Sequence, residues 1–109
     1  MTDTFKLPPL EIEEYKLSNG LRVVFNPDNA IPVVSVAVYY NVGSRNERDG
    51  RTGFAHLFEH MMFQGSENVP KAGHFQYIMK AGGTMNGTTS SERTNYYETL
   101  PANQLPLAL

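Results

Sequence analysis

The sequence has no cysteine, no run of like charges and no long hydrophobic segment. Without cysteine the chain forms no disulfide and uses no thiolate, so any catalytic or metal-binding chemistry must come from oxygen and nitrogen atoms. The formal net charge is only −2, and basic residues are not clustered. The composition therefore argues against nucleic acid or an anionic membrane surface as a partner.

The longest apolar run, Val33–Tyr40, is interrupted by Ser35. It is far shorter than the roughly 20 residues that a membrane-spanning helix needs. The N-terminus also lacks the apolar core of a signal peptide, although a signal could have been removed before residue 1. We therefore expect no membrane partner, and the sequence does not distinguish among bacterial periplasm, cytoplasm and an organelle.

The first forty residues predict an extended arm and three strands. Residues 1–10 contain Pro8 and Pro9 and no periodic pattern, which indicates an arm. Residues 11–17 and 21–25 flank Asn19-Gly20, a dipeptide that favours a tight hairpin turn. The strand at Val33–Tyr40 is β-branched and nearly all apolar, and we expect it to be central in its sheet and covered on both faces.

The pattern becomes helical after Thr52, the predicted N-cap, and ends near Gly65. A second helix is predicted at 72–81, and two polar strands at 84–91 and 94–100 are expected to pair at a sheet edge. The predicted fold class is therefore α+β, a mostly antiparallel sheet packed with helices. Apolar residues of the first helix recur at three- and four-residue steps and form a stripe expected to face the core: Phe54, Leu57, Phe58, Met61 and Met62.

The strongest functional signal is the sequence His-Leu-Phe-Glu-His from His56 to His60. On a helix the two histidines lie one turn apart on one face, with Glu59 beside them. Neutral imidazoles suit Zn²⁺, and a neighbouring carboxylate can take a proton from a water that the metal activates. The order His-x-x-Glu-His is the inverted form of the commoner zinc-peptidase motif. The alternative interpretation is a solvated helix face that carries these residues by chance.

These three side chains lie off the apolar stripe, so we expect them to face a cleft. His74, on the second predicted helix, is a further candidate ligand. No neighbouring residue repeats the ligand spacing there, which favours a surface or packing histidine.

The run Gly53-x-Ala55-His56-x-x-Glu59-His60-Met61-x-Phe63-x-Gly65 resembles the signature of the pitrilysin family of zinc peptidases. That family includes insulin-degrading enzyme, the mitochondrial processing peptidases and many bacterial peptidases. The resemblance extends over nearly the whole chain after residue 10, because further matches stand in the family's order and approximate spacing: Asn19-Gly20-Leu21, Val42-Gly43-Ser44-Arg45-x-Glu47, Gly82-Gly83-x-x-Asn86 and Thr94-x-Tyr96.

The resemblance implies that His56 and His60 bind zinc, that Glu59 is the general base, and that Asn86 lies on an edge strand and contacts the substrate backbone. By residue type alone, Asn86 is a turn or strand-end asparagine. The family's third zinc ligand is a glutamate on a later helix, downstream of Leu109. We therefore expect residues 11–109 to be the first part of an N-terminal, pitrilysin/LuxS-like zinc-peptidase domain.

The predicted function is that of a zinc metalloendopeptidase that hydrolyses peptide bonds in short or unfolded peptides. The expected partners are a peptide substrate and either the rest of a parent chain or a homologous subunit, and the fragment alone is expected to be inactive. One alternative is a non-catalytic family member that acts as a binding or assembly subunit, but such members typically lose the motif that is intact here. Another is an unrelated α+β domain with a chance motif, which the metal content would test.

Overall fold

The computed structural model describes Thr4 and residues 6–109. The predicted N-terminal arm lies partly outside this range, and its described residues are exposed and have no regular secondary structure. The chain divides into two compact units, one ending at Ile31 and the other spanning Pro32–Leu109. No described helix is long and apolar enough to cross a membrane.

The first unit contains one antiparallel hairpin, formed by β1 (Glu13–Lys16) and β2 (Arg22–Phe25). The turn closes through a hydrogen bond from the Leu17 amide to the Leu21 carbonyl. Gly20 has φ 90°, a left-handed conformation that glycine adopts without steric cost. The hairpin predicted around Asn19-Gly20 is thus confirmed.

The second unit contains an antiparallel three-stranded sheet and three α-helices. The strand order is β3-β5-β4, so that β5 is the middle strand. Two 3-10 turns, Ser44–Asn46 and Ala102–Gln104, precede α1 and α3. In chain order the elements are β3 (Val33–Tyr40), α1 (Phe54–Met62), α2 (Gly73–Lys80), β4 (Thr84–Thr89), β5 (Thr94–Pro101) and α3 (Leu105–Ala108). The predicted α+β class is confirmed.

Two predictions about strand position are wrong for the part of the chain that the structure describes. β3 was expected to be central, but it pairs on one side only, with β5, and most of its side chains are exposed. β5 was expected at an edge, and it is the middle strand. The polar residues of β5 misled the prediction because several of them are buried with hydrogen-bond partners, as with Thr94 and Glu98.

Helices α1 and α2 both contact β4 and lie on one face of the sheet. The Phe63 ring, just after α1, packs against Tyr96 of β5 and Phe75 of α2, with centroid distances of 5.5 and 5.1 Å. Ile78 of α2 and Leu100 of β5 are the most buried large side chains. The core of this unit is therefore a small cluster between α2 and the sheet.

The apolar stripe of α1 does not face this core. Its members, from Phe54 to Met62, are 42–64% exposed, whereas Glu59 is only 6% exposed. The prediction that the stripe packs on the core is therefore wrong within the described residues. Periodicity shows that a helix has two different sides, but it does not show which side meets the sheet.

Candidate metal centre

Helix α1 lies along β4 because Gly87 leaves room for it. A Cβ added to Gly87 would lie 3.1 Å from the Phe63 ring. Glu59 is four residues before Phe63, about 6 Å along the helix axis. Thr89 is two residues after Gly87, about 6.6 Å along the strand. These similar spacings bring Glu59 to Thr89 at the end of β4, where the threonine hydroxyl donates a hydrogen bond to Glu59 Oε2.

The two histidines of the motif converge one helical turn apart on α1. The Nε2 atoms of His56 and His60 lie 2.9 Å apart, and their ring centroids are 4.5 Å apart. One ligand atom from each of His56, Glu59 and His60 lies within 4.8 Å of the other two. This is the predicted convergence of two imidazoles and a carboxylate.

The donor set fits a zinc ion. Two imidazole nitrogens on one tetrahedral zinc, with bonds of about 2.0 Å, would be about 3.3 Å apart, close to the spacing between the His56 and His60 Nε2 atoms. Both histidines are exposed and can reach an ion that enters from solvent, whereas Glu59 is buried beside them. His56 and His60 could hold the metal, and Glu59 is suited to a proton-transfer role next to it.

The charge of Glu59 also affects a neighbouring phenol. The pKa of Tyr96 is raised, first by burial, then by the nearby negative charge of Glu59, and then by Tyr40. All three effects favour the neutral phenol. Tyr96 is therefore expected to remain protonated beside the site at neutral pH.

The N-terminus of α1 is capped by Glu47, not by the predicted Thr52. Gly53 is the N-cap, with φ 91°, and it makes no side-chain cap of its own. The Glu47 carboxylate instead accepts hydrogen bonds from the amides of Gly53 and Ala55, at 2.9 and 3.0 Å. A carboxylate at this end also complements the partial positive charge of the helix. The cap fixes the turn from which His56 projects.

The segment that carries Glu47 is attached to the turn between β4 and β5. The amides of Ser44 and Arg45 donate to the carbonyls of Ser90 and Ser91, at 3.1 and 3.0 Å. At Gly43 the two segments come so close that a Cβ added to Gly43 would lie 2.3 Å from the Ser90 carbonyl oxygen. The β4–β5 turn is thus linked both to the segment that caps α1 and, through the preceding Thr89, to Glu59.

An open cleft lies beside His56, whereas Glu59 and His60, which were also expected to face a cleft, are not among the residues that line it. Its volume is about 360 Å³. Its lining comes from the capping segment, the start of α1 and the β4–β5 turn: Ser44, Glu47, Gly53, His56, Thr89, Ser90 and Ser91. Only one histidine of the pair lines it, so the cleft adjoins the candidate metal centre.

The other candidate ligands lie elsewhere. His74 Nε2 is 3.1 Å from Glu98 Oε2, which joins α2 to β5, and Glu92 pairs with Arg45. Among the described residues, His56, Glu59 and His60 form the one cluster of three with metal-ligand spacing. The expectation that His74 has a packing role is consistent with this pairing.

Asn86 lies on β4, which pairs only with β5 in the described sheet, so it is on an edge strand as expected. Its side chain is exposed, and its Oδ1 accepts a hydrogen bond from the Gly87 amide at 2.8 Å. The alternation of β4 puts Asn86 on the opposite face from Thr89. The strand that carries Asn86 is therefore next to the motif helix, but the Asn86 side chain is on the other face of that strand.

Sequence reasoning missed two residues that support the motif, Glu47 and Thr89. Glu47 stood in a matched segment but without an assigned role, since a cap from six residues away has no simple spacing rule. Thr89 could have been found from the alternation of side chains along the strand. It shares a face with Gly87, and a glycine within a strand often marks a place where another segment approaches closely.

The chain matches a known family model and several characterised relatives. Residues 22–109 match the model of the family described as Insulinase (Peptidase family M16). The chain is 46% identical over 87 residues to "Zinc protease PqqE" of Helicobacter pylori, covering 78% of this chain and 19% of that protein. It is 33% identical over 93 residues to human insulin-degrading enzyme, covering 82% of this chain and 9% of that protein.

A solved structure has the same fold. The crystal structure of a protease from Helicobacter pylori matches with a TM-score of 0.87 and 34% sequence identity, covering 92% of this chain and 24% of that one. The chain thus spans between about a tenth and a fifth of the length of these two curated relatives.

Proposed function

This chain belongs to the insulinase family of peptidases, family M16, and on that premise we propose that it carries the zinc site of a metalloendopeptidase. The proposed reaction is hydrolysis of peptide bonds in short or unfolded peptides. The observation that supports it most is the convergence of His56, Glu59 and His60 within 4.8 Å on one side of α1. The predicted resemblance to the pitrilysin family is confirmed by the family match and by the relatives.

The three motif residues have two proposed roles, metal binding and proton transfer. His56 and His60 hold the metal through their converging nitrogens. When bound, Zn²⁺ would supply an electrophile for the scissile carbonyl and lower the pKa of water toward neutrality. Glu59 accepts the proton of the attacking water and passes it to the leaving amine. This role suits a carboxylate that lies beside the two proposed ligands and is not itself assigned to the metal.

Asn86 is proposed to contact the substrate backbone. Its amide offers both a donor and an acceptor, and β4 has no partner on its outer side in the described sheet. An extended peptide that adds to β4 as a further strand would meet these groups.

We further propose that the chain is the N-terminal segment of a longer protein. Catalytic zinc sites have three protein ligands and one open position. The described cluster offers two imidazoles and the proposed base. A third ligand would come from the rest of the protein, downstream of Leu109, and a homologous subunit could complete the peptidase. The isolated chain is then expected to bind zinc weakly and to have no activity.

The test is metal dependence in the full-length protein, with an unstructured fluorogenic peptide as substrate. Chelation should abolish cleavage, and stoichiometric zinc should restore it. Glu59→Gln should retain zinc but lose turnover by about 100-fold or more, because the amide keeps the shape but cannot accept the proton. Glu67→Gln, at an exposed glutamate, is the matched control. Full activity in excess chelator would refute the metal mechanism, and zinc loss in Glu59→Gln would make Glu59 a ligand.

The isolated 109-residue chain gives a separate test of the third ligand. With stoichiometric zinc it should cleave no peptide, since two histidines alone define the coordination geometry poorly. Zinc-dependent cleavage by this chain that its Glu59→Gln variant lacks would show that the third ligand either lies within it, with Glu92, Glu98 and His74 as candidates, or is dispensable.

A further inference from the structure

The Glu59 carboxylate has one oxygen engaged and one available. Oε2 accepts the Thr89 hydroxyl, and within the described residues no other side chain donates to Glu59. No fully buried side-chain nitrogen or oxygen lacks a hydrogen-bond partner there, so Oε1 must keep some exposure although Glu59 is only 6% exposed. One oxygen is thus anchored while the other can still exchange a proton.

We infer that Thr89 is a positioning residue for the general base, which fixes the plane of the Glu59 carboxylate and directs its second oxygen toward the reacting water. This inference rests on the proposed function, in which Glu59 is the base. Thr89 itself touches neither metal nor substrate in this assignment. It acts through the carboxylate that it holds.

A glutamate needs such a partner more than a shorter acid would. The terminal torsion of glutamate is broad rather than confined to three narrow wells, so burial alone does not fix the direction of the oxygens. A hydroxyl that donates to a carboxylate makes a short and comparatively strong hydrogen bond. Thr89 can therefore select one carboxylate orientation out of a broad range.

The donor is itself rigid. Thr89 pairs with Thr94 in the last rung of the β4–β5 ladder, and β-branching restricts its side-chain torsion. The close approach at Gly87 sets the distance between helix and strand two residues earlier. The position of the hydroxyl is thus determined by the sheet rather than by the helix that carries Glu59.

The neighbouring threonine offers a matched control. Thr88 is on the opposite face of β4, where its hydroxyl bonds to Asn95 Oδ1 and accepts from Arg93. Thr88→Val removes the same atom one residue away without touching Glu59. An effect at Thr89 that is absent at Thr88 cannot come from strand propensity.

The experiment compares Thr89→Val, Thr89→Ser and Thr88→Val in the full-length protein. Valine keeps the shape and removes the donor, and serine keeps the donor. We expect Thr89→Val to lower kcat by roughly 10- to 100-fold, the range for losing one hydrogen bond to a charged group, with KM and zinc affinity unchanged. Thr89→Ser should restore most of the loss, and Thr88→Val should match the wild type.

A second measurement tests the contact without catalysis. In the metal-free protein, the infrared carboxylate bands of Glu59 can be isolated as the difference between wild type and Glu59→Gln. These bands should shift in Thr89→Val and remain in place in Thr89→Ser and Thr88→Val. Unshifted bands in Thr89→Val would overturn the inference.

The outcomes separate this inference from the function on which it rests. If Glu59→Gln is inactive while Thr89→Val retains full kcat, the inference fails and the proposed function stands. If Glu59→Gln is fully active, both fail. If Thr89→Val loses zinc affinity and thermal stability together with activity, and serine does not restore them, Thr89 only joins the helix to the strand and the positioning role is refuted.

Discussion

In a simple amphipathic helix the apolar side is buried and the polar side is exposed, and the two sides of α1 do not follow this arrangement. The side that meets β4 carries the buried Glu59, and the apolar stripe that includes Phe58 is exposed in the described residues. Glu59 can be buried because its carboxylate accepts the Thr89 hydroxyl, whereas His56 and His60 on the same side remain exposed. The comparison shows that a buried carboxylate with a hydrogen-bond partner can lie on the side of a helix that faces a sheet.

The largest expected effect is on zinc affinity. It distinguishes the side of α1 that carries the proposed metal ligands, called here the metal side, from the apolar stripe. In the full-length protein, His60→Ala should weaken zinc binding by more than about 100-fold, because one of the proposed metal ligands is lost. Phe58→Ala, on the stripe, should leave zinc affinity unchanged, since Phe58 is 64% exposed and outside the cluster. Competition with a fluorescent chelator measures both affinities.

A histidine control makes this comparison specific. His74→Ala removes an imidazole that pairs with Glu98 instead of joining the cluster. Zinc affinity should therefore be unchanged. A loss as large as that of His60→Ala would contradict the assignment of the metal side.

An intermediate effect is expected at the cap. Glu47→Gln replaces a carboxylate that accepts from both Gly53 and Ala55 with an amide that has one acceptor oxygen. The first turn of α1 should lose about 1 kcal/mol, so those amides should exchange hydrogen roughly fivefold faster. Native-state hydrogen exchange measures this directly. Glu67→Gln is the control, and equal exchange in Glu47→Gln and wild type would show that the cap contributes nothing.

The smallest effect concerns alkaline pH. The folded-state pKa of Tyr96 is raised above 10.0, so the unfolded chain releases this proton first. The resulting stability is fully present below pH 10 and is lost as the pH rises through the folded-state pKa. Tyr96→Phe should therefore show a shallower decrease in urea midpoint above pH 10 than the wild type. Tyr97→Phe, on the exposed face of β5, is the control, and identical slopes would contradict the prediction.

The parts of the fold that depend on local chemistry could be predicted from the sequence. Asn19-Gly20 is enough to indicate a hairpin, and the one-turn spacing of His56 and His60 makes them converge on any helix. The position of α1 on the sheet could not be predicted, because it depends on contacts between residues distant in sequence. The approach at Gly87 and the bond from Thr89 to Glu59, thirty residues away, are of this kind.

The N-terminal cap of α1 shows a second limit on what the sequence can predict. Thr52 has the favoured residue type and position for an N-cap, yet the structure uses Glu47 from the preceding segment. A side chain from outside the helix can satisfy the first amides equally well. Which residue does so depends on where the β4–β5 turn holds that segment.

The pairing of β3 with β5 also affects the order in which the protein folds. The register runs from Val33↔Pro101 to Tyr40↔Thr94, so α1, α2 and β4 all lie within the loop that this pairing closes. Closing a long loop lowers chain entropy before most contacts can offset it, and such non-local pairing slows folding. The β4–β5 hairpin, by contrast, can form early because its turn is short. Thr89 would then be in place before α1 brings Glu59 to it, and the proposed base should become oriented only when the sheet has closed.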